Sequence, residues 1–343
     1  MEKILDVSRY TNVTELQFEV EFITPCFLGG ADGNAEIRTA PFKNLLRRWW
    51  RIANGNLPLE ELWKQESRLF GSTENDPDVV ASNRNKRPSE REPEVFGKSK
   101  VELRILKYDK NCYSSERIDI GKVDSSFGKM DLGKYLGYGS VGNKKYIKPN
   151  TKISFSLIVP SENKSKIIDT LFLMHLFGSV GSKSRNGFGS IYITPANFEF
   201  SPKNIFDGYS SWKEILNENK NYPSSICKDE KGCLAWKTDD NLNWKISLEE
   251  IGTVYYKLRK QLDVNSKKIL GFAESDKRLP KQLIIKICKT PKRKYYGLIV
   301  HIPYLVDKIP KQIQLNAGEK IHSFLDKSEL QGWQRKFTKE QTK

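Results

Sequence analysis

The stretch GSVGSKSRNGFGS, Gly178 to Ser190, places four glycines, two cations and several hydroxyls between an apolar run and a strand-like run. Glycine-rich loops bring backbone amides close to phosphate. A nucleotide-binding Walker loop needs G-x-x-x-x-G-K-[ST]. Here Ser182 precedes Lys183, Phe177 stands at the first glycine position, and the order is helix–loop–strand. A Rossmann fingerprint fails for the same reason. What is left is an amide-rich surface for a nucleic-acid backbone, with Gly181, Gly187 and Gly189 permitting close approach and Lys183 and Arg185 as the charges. The plain alternative is a turn that only needs positive φ at its glycines.

Two further segments carry candidate chemistry. KNLLRRWWRIA interleaves Lys43, Arg47, Arg48 and Arg51 with two tryptophans, a pattern suited to phosphate contacts and base stacking. Trp49 reads as core, Arg47 and Arg51 as phosphate ligands, and Trp50 as either. In CFLGGADGNAEIR, Gly29 and Gly30 allow a ligand near the backbone, Glu36 and Arg38 are expected to pair across the turn, and Arg38 is also a candidate phosphate ligand. Asp32 is a loop carboxylate that reads as solvated, with general-base or metal-ligand chemistry as its alternative. His175 lies in an apolar helix and reads as a satisfied core histidine; His301 and His322 have no evident partner. No catalytic constellation emerges, so no catalytic residue, metal or cofactor is assigned. Cys26, Cys112, Cys227, Cys233 and Cys288 are scattered and read as reduced thiols rather than zinc ligands.

Regular elements must hold these segments. TELQFEVEFI alternates with period two, a half-buried strand. Residues 41–53 predict a helix with Leu45, Trp49 and Ala53 on one face and Lys43, Arg47 and Arg51 on another. KSKVELRILKY and TKISFSLIVP are strands, KIIDTLFLMHLF is a buried helix, and FGSIYITPANFEF is a strand. The order strand–helix–strand–strand–helix–strand is the ferredoxin-like βαββαβ unit, an antiparallel sheet with helices on one face. The polar run over 73–98 reads as a mobile loop inside it. In the second half, Ser247 and Glu250 suggest a capping box before a helix. KQLIIKICK and YYGLIVHIPYLV are strands, and a terminal helix carries Ile321, Phe324, Leu325 and Trp333. We therefore expect an α+β protein of two ferredoxin-like (RRM-like) domains, 1–200 and 201–343, the second degraded.

The chain has 343 residues, with 58 Lys+Arg against 42 Asp+Glu, a formal charge of +16. Such an excess favours a polyanionic partner, most often nucleic acid. No apolar run reaches the ~20 residues that span a bilayer, and no signal core opens the chain, so a cytoplasmic location is expected.

TPCFLGGADGNAEIRTAPFKNLLRRWWRIA, then LFGS, then the glycine-rich loop resemble the RAMP superfamily of CRISPR-associated proteins. Within it they are similar to the family of the first subunit of the Cmr module, the type III-B effector. The matching elements are Gly29-Gly30, Glu36-Ile37-Arg38, Leu46 to Arg51 and Gly178 to Gly189. The match covers the first half well and the second loosely, through Leu270 to Phe272 and the paired late strands. Asn44 stands where that family has glycine, and Lys183 where it has arginine. The resemblance implies two ferredoxin-like domains and a non-catalytic subunit at the head of a ribonucleoprotein, near the 3′ part of the guide RNA. Its partners would be guide RNA, target RNA and other RAMP subunits, in antiviral defence. Related RAMP proteins cut RNA, so an endoribonuclease using Asp32 or His175 is the rival reading.

Overall fold

The computed structural model describes residues 12–30, 34–84, 86–126, 128–200, 210–217, 226–274, 277–279, 281–306 and 309–328. The first half contains β1 (Val13–Phe22), α1 (Thr39–Ala53), α2 (Leu59–Phe70), β2 (Glu102–Tyr108), β3 (Lys152–Pro160), α3 (Lys164–Phe177) and β4 (Ile191–Pro195). Its sheet is antiparallel, in the order β4-β1-β3-β2. Leu16, Phe18, Val20 and Phe22 of β1 are buried in one cluster with Phe155, Leu157 and the inner faces of α1 and α3. Alternation does this: successive side chains leave opposite faces of a strand. The other face is polar, with Glu15 and Glu102 both opposite Ile158, and Gln17 and Arg104 both opposite Ser156.

Residues 72–98 differ from the expected mobile loop. Ser72–Asn75 pairs with Val95–Gly97, and a helix spans Pro77–Asn83. Asp76 caps that helix through the Asp78 amide, while Arg68 on α2 grips both Asp76 and Asp78 at 2.7 Å. Caps and ion pairs order this segment, so it shows no hydrophobic period.

The second half contains β5 (Ala235–Lys237), α4 (Trp244–Gln261), β6 (Leu283–Lys289), β7 (Tyr295–His301) and α5 (Lys311–Asp326). Its antiparallel sheet runs β5-β7-β6, three strands among the described residues. α4 starts earlier than the Ser247 capping box suggests. Asn243 caps it, accepting from the Lys245 and Ile246 amides, and Ser247 lies inside the helix. Trp333 falls outside the described residues.

The second sheet is covered on both faces. Leu283, Ile285, Ile287 and Ile299 pack with α4 and α5. Ile284, Cys288, Leu298 and Val300 join the core of the first half. A strand buried on both faces loses its polar alternation. Lys286 is enclosed in that junction and donates to the Met174 carbonyl at 3.3 Å and to the His175 carbonyl. Those carbonyls end α3, where a cation is favoured by the helix dipole. Beside it, Lys289 pairs with Glu21 of β1 at 2.6 Å.

Gly187 and Gly189 take φ of +87° and +63° within the junction. A Cβ on Gly187 would meet Leu248 at 2.4 Å, and one on Gly189 the Val180 carbonyl oxygen at 1.9 Å. Both are buried. They let the loop pack against protein, which corrects their assignment as points of RNA approach. Gly189→Ala should cost about 2–4 kcal/mol, from clash plus left-handed strain, in chemical denaturation.

Candidate nucleic-acid interface

α1, the turn after β1 and the loop after α3 meet around an open cavity of about 570 Å³. The turn contributes Leu28 and Gly29, α1 contributes Pro41, Asn44 and Arg48, and the loop contributes Ser179, Gly181, Ser182 and Ser184. Arg38 sits at the rim, where α1 begins.

Backbone bonds bring the loop here. The Ser182 amide donates to the Phe27 carbonyl at 2.8 Å, and the Gly189 amide to the Pro25 carbonyl at 2.9 Å. The Cys26 thiol donates to the Val180 carbonyl at 3.3 Å. Gly181 has φ +89°, and a Cβ there would stand 2.8 Å from the Phe27 carbonyl oxygen, so only glycine allows this approach. The turn is held from below. Arg38 donates to the Gly29 carbonyl at 2.9 Å, a bond that takes the place of the expected Glu36–Arg38 pair. The Gly30 amide donates to the Asn34 carbonyl at 2.7 Å.

The cavity suits an anion. α1 opens onto it with no side chain capping its first amides and no acid in its first turn. Such a helix start carries partial positive charge. The Ser179 hydroxyl, buried in the wall, makes no hydrogen bond. Ser182 shares a 3.3 Å hydroxyl contact with Ser140.

The structure divides the other expected ligands. Arg47 and Arg51 lie on the flank of α1 that faces α2, where both bond Glu66, a carboxylate only 4% exposed. Their guanidiniums brace two helices and do not line the cavity. Lys43 lies on the same stripe, its pKa lowered by burial and then by Arg47. Trp50 is 1% exposed and meets Phe70 edge-on at 6.0 Å. It offers no face to a base, so it is core, as is Trp49, stacked on Phe177 at 5.9 Å. Lys183 takes φ +61° in the loop, and its carbonyl accepts from the Asn186 amide at 2.8 Å. Arg185 turns inward and donates to the Lys281 carbonyl. Asp32 lies outside the described residues.

Asn44, Ser179, Ser182 and Ser184 escaped the sequence reading. Asn44 and Arg48 are four residues apart, as are Arg47 and Arg51. Both stripes are equally helical in the sequence, and the place of α2 decides which one faces the cavity.

The histidines are accounted for. His175 Nδ1 lies 3.0 Å from the Ile193 carbonyl oxygen, and burial, then Lys286, pushes it down to about 3. His301 is partnered after all: its Nδ1 meets His322 Nε2 at 2.8 Å and its Nε2 meets Gln282 Oε1 at 3.1 Å. Burial, then His322, holds it well below the usual range. All five cysteines carry free thiols.

A family model described as RAMP superfamily matches residues 19–192. The chain belongs to the RAMP superfamily. It is also 26% identical over 193 residues to the CRISPR system Cmr subunit Cmr1-2 of Pyrococcus furiosus, spanning 52% of this chain and 95% of that one. Among solved structures it is similar to Cmr1 from Pyrococcus furiosus in its apo form, at TM-score 0.46 and 17% identity, over 90% of this chain and 96% of that one. It is similar too to a chain of the type III-B Cmr-beta complex bound to cognate target RNA and AMPPnP, at TM-score 0.49 and 13% identity, over 91% of this chain and 99% of that one. The RAMP match ends just past the glycine-rich loop, so it takes in all three segments around the cavity. Among the described residues no helix is long and apolar enough to cross a membrane.

The buried imidazoles make a prediction about this RAMP protein. Unfolded, His175 and His301 bind protons near pH 6.5; folded, they stay neutral well below it. Stability therefore falls as pH drops below 6.5, the slope rising toward about 2.7 kcal/mol per pH unit for two protons. Urea denaturation between pH 7 and pH 5 checks it.

Proposed function

We propose that the chain is an RNA-holding, non-catalytic subunit of a type III-B Cmr ribonucleoprotein, and that the cavity between α1 and the glycine-rich loop cradles the RNA backbone. The observation that carries this is the meeting of an uncapped helix start, Arg38, Arg48 and the Gly181 loop at one concave surface. Those groups recognise phosphate and sugar, not base edges, so the recognition is independent of sequence. Base pairing between guide and target supplies the specificity, and the protein grips the backbone. The net charge of +16 fits such a partner. The likeness to a Cmr subunit favours neighbouring RAMP subunits and a guide RNA as partners. The sheet face away from α1 suits RNA poorly, because Glu15, Glu19 and Glu102 line it. Both halves read as ferredoxin-like units, the second lacking a fourth strand among its described residues. On this reading the chain divides near residue 200, at 1–200 and 201–343.

Binding tests this with no change to the fold. Asn44→Asp puts a carboxylate in the cradle, at an exposed position of α1. Folding stability should hold, while affinity for RNA falls about tenfold, an electrostatic cost of about 1.4 kcal/mol. Arg38→Gln should weaken binding to a similar extent and lower the salt slope by about one. Arg47→Gln should change affinity less than about threefold, since Glu66 already holds that charge. Equal losses from Arg38→Gln and Arg47→Gln, or affinity flat with salt, would refute the cradle.

The non-catalytic part is supported by His175, half-buried in α3, whose Nδ1 is already engaged by the Ile193 backbone. Labelled RNA incubated with Mg²⁺ and the protein should stay intact. Cleavage that disappears in Asp32→Ala would establish the endoribonuclease reading instead.

A further inference from the structure

Behind the cradle, at the junction of the two halves, lies a second and more enclosed cavity of about 40 Å³. Its wall carries Arg48 from α1, Arg185 from the glycine-rich loop, and Lys281 and Tyr304 from the second half. At roughly 10–15 Å³ per water, that is room for about three waters, or for one small tetrahedral oxyanion.

Among the described lining residues its charge is one-sided: Arg48, Arg185 and Lys281 stand there with no carboxylate, and Arg51, the remaining cation of the wall, is held by Glu66. Arg48 is mostly buried, and burial, then repulsion from Arg185 and Arg51, pushes it down to about 9. Arg185 is lowered by burial as well. Lys281 is held well below its usual value by burial, then by Arg259 and Arg185. Its ammonium stands 3.7 Å from the Tyr255 ring centroid and donates to Asn186 Oδ1 at 2.8 Å, so its partners are neutral. The carboxylate that reaches the edge of this group, Glu66, is already shared by Arg47 and Arg51. Buried cations without a counter-charge are costly, and a charge-assisted bond to an anion is the chemistry that removes the cost.

We propose that this cavity is a binding site for a phosphate-type oxyanion, held between Arg48 and Arg185 with Lys281 behind them. The site is separate from the cradle and does not require RNA to occupy the cradle, although Arg48 borders both. The anion is inorganic phosphate or the terminal phosphate of an RNA strand; the chemistry of the site is the same for either.

Thermal unfolding of the full chain tests it without RNA. Inorganic phosphate is titrated against chloride at fixed ionic strength. A ligand that binds only the folded state raises Tm progressively with concentration, here by a few degrees at about 100 times its dissociation constant. Arg48→Met and Lys281→Met each remove one buried charge. Both should unfold at or above the native temperature in chloride and lose the phosphate-dependent rise. The general salting effect of phosphate is common to all three proteins and cancels in the comparison. An equal rise in native protein and both variants, or no rise in any, overturns the proposal. Short RNAs with and without a terminal phosphate then separate the sources. A larger rise with the phosphorylated strand assigns the site to an RNA end, and equal rises assign it to free phosphate. Arg38→Gln, which alters the cradle rim and lies outside the inner cavity, should keep the phosphate response, so either site can fail without the other.

Discussion

The glycine-rich loop is clamped from two sides, and the rest of the molecule depends on that clamp. On one side its amides at Ser182 and Gly189 bond the carbonyls of Phe27 and Pro25. On the other, the Gly187 amide bonds the Ile285 carbonyl, and the Ile285 amide bonds the Arg185 carbonyl. The loop is therefore a splice between the first sheet and the second. Gly181 presses it against the turn after β1, and Gly187 and Gly189 press it into the junction. With the loop fixed this way, Ser179 to Ser182 and Ser184 face the cradle and Arg185 faces the inner cavity.

Charge follows the same partition. The basic residues on and just before α1 do three different jobs because three different neighbours surround the helix. Arg47 and Arg51 meet Glu66 and brace α2. Arg48 faces Arg185 and has no carboxylate partner among the described residues. Arg38 ties down the turn and stands at the open rim. A net charge of +16 says only that cations are in excess. Which of them can act on a ligand is set by where the carboxylates lie, since a paired guanidinium has less to offer a phosphate. Lys286 is a fourth case, a buried cation spent on the C-terminus of α3.

Much of this was legible in the chain. β1 alternates cleanly, and the strands and helices of the βαββαβ order in the first half follow from period and punctuation, while α2 was not read from the sequence. The three segments that meet at the cradle each announced themselves by glycine or by charge. What was hidden depended on contacts between distant residues. Glu66 belongs to a helix that gave no functional signal, yet it decides the fate of Arg47 and Arg51. Gly187 and Gly189 look like Gly181 in sequence, and only Leu248 and the Val180 carbonyl distinguish them. His301 and His322 are 21 residues apart and meet across the second core. The 72–98 segment hid its order in caps and ion pairs, which leave no hydrophobic period to read.

The central claim is that RNA lies in the concave surface between α1 and the glycine-rich loop. Photo-crosslinking of bound RNA, with adducts mapped to single residues, addresses it most directly. The account predicts adducts in three separated segments at once: Leu28 to Arg38, the first turns of α1 through Asn44, and Gly181 to Ser184. Adducts confined to the outer sheet face around Gln17 and Arg104, or to the α2 flank beside Arg47, would contradict it.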